Sequence, residues 1–185
     1  MTATATAPGT ITTWNVDPAH SAAEFKVKHM MISNVKGKFS GISGVLKLDE
    51  TDYTHSVVEV SIPAASLTTS DDQRDGHLKS ADFFDVEKFP TLTFKSTGID
   101  STGGPNYAVT GDLTMHGVTK SVTLSMEDIS EPSKDPWGNH RIGISGSAKI
   151  NRKDFGLTWN SALESGGVLV GEDVTITLDV EFIKA

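Results

Sequence analysis

Cysteine is absent from the 185 residues, and this one absence removes disulfides, thiolate nucleophiles and thiolate metal sites together. Redox chemistry would need a borrowed cofactor. Aromatics are scarce, at 7%, whereas an outer-membrane barrel carries aromatic girdles at both interfaces. No run of eighteen apolar residues occurs, so a membrane-spanning helix is not expected. Lysine and arginine number 16 against 24 acidic residues, and the formal charge of -8 repels phosphate backbones and anionic lipid surfaces. A nucleic-acid partner is therefore not expected. The opening MTATATAPGTITT lacks both a basic n-region and an apolar h-region, which predicts a cytoplasmic chain.

Catalytic fingerprints are missing too. There is no GxSxG elbow, Walker A loop or GxGxxG turn. Histidines stand at 20, 29, 55, 77, 116 and 140, with no helical i, i+4 pair of the kind that zinc uses, so neither a metal nor a cofactor is expected. Asp17, His20 and Ser21 in DPAHS have the residue types of a serine triad. Three such residues within five positions make a turn, because a triad converges from separate elements.

What the chain does have is alternation. Thr and Ala dominate residues 1–11, which reads as a disordered tail, and a single domain is predicted over 12–185. Phe25, Val27 and His29 share one parity and Glu24, Lys26 and Lys28 the other. The same pattern recurs at Val58, Val60 and Ile62; at Leu92 and Phe94; at Tyr107, Val109, Leu113 and Met115; and at Val118, Val122, Leu124 and Met126. It returns from Ile142 to Ile150 and from Val174 to Phe182. Half-buried antiparallel strands read this way. Met115-His116-Gly117-Val118 predicts a tight hairpin, and a parity switch at Gly41 predicts a bulge or bend. About eight strands without a βαβ signature leave an antiparallel barrel or a sandwich. Inward Ala23, Gly37, Gly44, Gly111, Gly146 and Ala148 tilt the barrel reading toward a cavity.

One segment interrupts the strands. Ser70 and Gln73 have capping-box spacing, so a short helix is predicted near residues 70–85, with Leu78, Phe83 and Phe84 as its apolar edge. Arg74 and His77 share a face of that helix. They are assigned to the barrel mouth, near a ligand headgroup. The parity rule assigns Phe25, Val27, Phe39, Ile42, Leu113, Met115, Ile142, Ile144, Ile176 and Leu178 to the ligand-binding lumen.

The blocks WNVDPAHS, VKGKFSGISG, HLKSADFFDVEKFPTLTF, GDLTMHGVTKSVTL, INRKDFGL and VTITLDVEF resemble, in order, the YceI-like polyisoprenoid-binding proteins over residues 13–184. Ile42 departs from the phenylalanine usual there. The resemblance implies a lipocalin-like barrel with an isoprenoid lipid in its lumen, of polyprenyl phosphate or quinone type, held for carriage, storage or sequestration. It also implies a homodimer. The alternatives left open are an enzyme acting on an amphiphile at the mouth, with His77 or His20 as base, and an interaction module with a filled core.

Overall fold

The computed structural model describes residues 9–185. Most of the predicted tail, residues 1–8, lies outside them, and pairing already begins at Ile11, opposite Asp49.

The strands in chain order are β1 (Ile11–Val16), β2 (Ala22–His29), β3 (Ser33–Phe39), β4 (Ser43–Asp49) and β5 (Val57–Pro63). Helix α1 (Asp72–Lys79) follows, then β6 (Thr91–Gly103), β7 (Asn106–Met115), β8 (Val118–Glu127), the two-residue β9 (Ser133–Lys134), β10 (His140–Asn151) and β11 (Val170–Lys184). All pairings are antiparallel, and β10 closes onto β11 from Arg141↔Ile183 to Asn151↔Asp173. β1 and β2 lie end to end along one edge of β11, and β4 and β3 continue behind them. β9 likewise extends β8 along β10, and counting each end-to-end pair once gives a closed eight-stranded antiparallel barrel, the size at which an interior is either filled or holds one ligand.

The two interruptions have local causes. Asp17 caps a 3-10 turn at Pro18–His20 between β1 and β2, its carboxylate accepting from the Ala19 amide. Gly41, at φ 67°, lets the chain bend between β3 and β4, where the parity switch predicted it. The hairpin predicted at residues 115–118 is present, with His116 and Gly117 both at positive φ.

α1 begins one residue later than the predicted capping box. Asp71, not Ser70, is the cap, accepting from the Arg74 amide at 2.9 Å, which satisfies an otherwise orphan donor. The far edge of β3 has one bridge, Lys38 to Thr68. Beyond it, residues 64–90 complete the wall: Leu67 is 1% exposed and Phe84 packs edge-on to Phe39 at 5.5 Å.

The inward glycines do not leave voids. A methyl group on Gly37 would meet the Phe25 ring at 2.3 Å, and one on Gly111 the Phe94 ring at 2.5 Å. Gly44 is covered by the Glu59–Val60 backbone and Gly146 by Met126, so each glycine is room that a neighbour occupies and the cavity has another origin.

Candidate functional site

Two apolar cavities lie in series inside the barrel, of about 120 and 180 Å³. Cavities on the order of 150 Å³ lined by aliphatic and aromatic side chains stay dry and accept apolar molecules. Val60, Ile62, Phe94, Leu124 and Leu178 line both. They form a waist between two chambers of one lumen.

All ten residues assigned to the lumen by parity line it. Ile42, Ile142 and Ile144 border the smaller chamber; Phe25, Val27, Phe39, Leu113, Met115 and Ile176 border the larger; Leu178 borders both. Phe83 and Phe84 also face the larger chamber.

Arg74 and His77, assigned to the mouth, line neither chamber. Arg74 Nε donates to Thr69 Oγ1 at 2.7 Å and Nη2 to the Thr69 carbonyl at 3.2 Å. The same loop is held by Asp75, which is buried and accepts from the Thr69 amide, the Thr69 hydroxyl and the Thr68 hydroxyl. Burial alone would raise the Asp75 pKa, but these bonds outweigh it and hold the carboxyl below its ordinary value. His77 bonds to Asp82 at 2.8 Å, and its ring meets Trp159 edge-on at 4.6 Å. Both residues fasten α1 to the loops around it.

Tyr53, Tyr107 and Arg152 are among the lining groups that were not assigned to the lumen from sequence. Tyr53 and Tyr107, the only tyrosines, meet at 5.8 Å on the wall of the smaller chamber, and burial pushes the Tyr53 phenol up. Tyr107 sits on the apolar parity of β7, so its position was legible; Tyr53 sits in a 3-10 turn, where alternation gives no signal. Arg152 borders the larger chamber at 4% exposure. It donates to the carbonyls of Leu157, Trp159, Val170 and Gly171, and burial pushes its pKa down.

At the barrel surface Asp17, His20 and Glu181 gather three ligand-type atoms, a cluster the sequence did not disclose. Arg141 occupies its centre, donating to Asp17 at 2.7 Å, to Asp135 at 2.7 Å and to Glu181. Bonds from His20 and then Arg141 hold Asp17 down to about 2, and Arg141 holds Asp135 well below the usual carboxylate range. The guanidinium thus takes the place where a cation would sit.

Known proteins share this barrel. The YceI-like domain matches residues 14–182. A UPF0312 protein of Staphylococcus aureus is 37% identical over 173 residues, 93% of this chain and 98% of its own. The Campylobacter jejuni YceI protein superposes with a TM-score of 0.72 at 34% identity, over 86% of this chain and 91% of that one. Burkholderia cenocepacia BcnA gives 0.78 at 25%, over 90% and 98%. A polyisoprenoid-binding domain of Saccharophagus degradans gives 0.67 at 16%, over 93% and 98%, a likeness of fold.

Proposed function

The chain belongs to the YceI-like family, and from that premise we propose that its lumen holds one isoprenoid lipid, of polyprenyl phosphate or quinone type, for carriage, storage or sequestration. The observation that carries this reading is the pair of apolar chambers joined at a waist. A linear chain with repeated methyl branches fits such a shape. Empty, the chambers cost about 3 and 4 kcal/mol at roughly 24 cal/mol per Å³ of void, and an apolar chain that fills them recovers this without any catalytic group. The relative from Saccharophagus degradans, described as a polyisoprenoid-binding domain, supports the ligand class.

The headgroup is assigned to the Tyr53–Tyr107 end. Among the described residues neither phenol bonds to another side chain, so both hydroxyls are available to a phosphate or quinone oxygen. Arg152 is a poorer candidate, because four carbonyls already engage its donors.

Native mass spectrometry of the purified protein tests the reading. The expected result is a co-purified or added isoprenoid bound at one per chain, retained about threefold to tenfold less well by the Tyr53→Phe/Tyr107→Phe double variant, the scale of a neutral hydrogen bond. Failure to take up any isoprenoid, or turnover of an added amphiphile, would sink it. The homodimer expected from the family is scored separately by light scattering.

A further inference from the structure

The turn that joins β2 to β3 presents Met30, Met31 and Ile32 to solvent, at 42%, 54% and 79% exposure. Three large apolar side chains in a row stand out, since the other exposed large apolar residues, Ile11, Val57 and Trp137, stand apart from one another in sequence. Met30 and Met31 both hold positive φ, 50° and 63°, in a turn closed by the Ile32 amide on the His29 carbonyl. Asparagine and glycine take such positions with little strain, and methionine does not. A chain that needed only to reverse direction here has better residues for it.

Behind this tip the outward face of the hairpin is basic. Lys26, Lys28, Lys36 and Lys38 are all exposed, and Lys26 stands directly across from Lys36, a like-charge pairing that works against strand association. Glu24, opposite Lys38, is the one acid on the two strands. Neighbouring acids on β11 are already engaged, Asp173 by Lys149 and Glu172 by Lys153. Among the described residues the lysine ion pairs use Lys95, Lys149, Lys153 and Lys184, and none of these four. The hairpin is therefore an uncompensated basic patch on a chain whose formal charge is -8.

An apolar tip behind which lysines form a collar matches a bilayer surface. The apolar side chains enter the boundary of the acyl region, and the lysines lie at the depth of anionic headgroups. We propose that the β2–β3 hairpin docks this protein on an anionic lipid bilayer. The placement suits the lumen: Val27 on β2 and Val170, which pairs with His29, line the larger chamber, so docking sets that chamber beside the membrane. The net negative charge of the rest of the chain orients the barrel away from the surface.

Flotation of the full chain with phosphatidylcholine vesicles, with and without phosphatidylglycerol, tests this. The protein is expected to float with the mixed vesicles, to stay behind with the neutral ones, and to be released as salt rises. Lys26→Gln/Lys36→Gln is expected to lower partitioning by roughly thirtyfold, the contribution of two lysines at an anionic surface. Met31→Ser/Ile32→Ser is expected to remove the binding that survives in salt. All four side chains are exposed, and melting curves confirm that the variants fold. Failure of the parent chain to float with phosphatidylglycerol overturns the proposal, as does equal flotation of the hairpin variants, or binding that requires a membrane protein in the vesicle. Lumen contents, read by mass spectrometry, are a separate measurement, so docking and lipid capture fail independently.

Discussion

Leu178 lies on β11 with Gly146 across from it on one side and Ala23 on the other, and its side chain borders both chambers. Leu178→Trp should close the waist. An indole that fills a third of the 180 Å³ chamber removes void worth about 1.5 kcal/mol, or about 3–6 °C in the melting temperature of a chain of this length. Strain from overpacking opposes that gain with about 1–3 kcal/mol, so stability does not decide the matter. Lipid capacity does. A long chain barred from the 120 Å³ chamber forfeits about 3 kcal/mol, which weakens its retention about a hundredfold. A short isoprenoid that fits the larger chamber alone should bind as before. The assay is native mass spectrometry with isoprenoids of graded length, and Val60→Phe, at the same waist, serves as a second variant. If both variants retain long and short chains in the parent's ratio, the chambers are not one continuous path and the reasoning fails.

Arg152→Ala should destabilise the protein by about 3 kcal/mol or more, because four carbonyls lose a charged donor; Arg152→Lys should not rescue it, since an ammonium lacks the planar fork, and urea titration of both variants reads the difference. Arg74→Ala should lower stability by about 1 kcal/mol through the lost Thr69 bonds and leave lipid per folded molecule unchanged; a selective loss of lipid would return Arg74 to the headgroup site. Acid should destabilise the fold. Asp17, at about 2 when folded against an ordinary 3.8, contributes stability fully above pH 3.8 and loses it as pH falls toward 2, and thermal melts of Arg141→Met should show a shallower loss across that window.

The strand walls were legible because alternation is a direct imprint of a half-buried sheet: a residue that faces the lumen at Ile142 implies the same for Ile144 and Ile150, and register pairs all three with β11. Legibility fails where the pleat breaks. In β6 the inward parity runs Leu92, Phe94, Ser96 and then resumes at Ile99, because the pairing with β7 slips between Ser96 and Gly98. Thr97 and Gly98 carry no hydropathy contrast that could announce the slip. The glycines misled for a related reason. A missing side chain marks room, but Phe25 over Gly37 and Phe94 over Gly111 show that the room belongs to a cross-strand or diagonal neighbour, which composition does not name.

The charged residues were the least legible, and Arg74 and Arg152 show why. Arg74 stands in a helix with a basic corner and Arg152 in the polar run NRKD, so sequence favours Arg74 as the one that meets a ligand and does not single out Arg152. Their environments separate them by burial instead. Arg74 is spent on a loop five residues away in sequence, while Arg152 is 4% exposed because the chain from Leu157 to Gly171 turns four carbonyls toward one point. The carbonyls of Leu157 and Trp159 come from irregular backbone that hydropathy does not describe, and those of Val170 and Gly171 from the first two residues of β11. A buried cation there is tolerable only when such donors and acceptors are matched in full, and it is this matching, rather than a ligand, that accounts for an arginine at the wall of an otherwise apolar chamber.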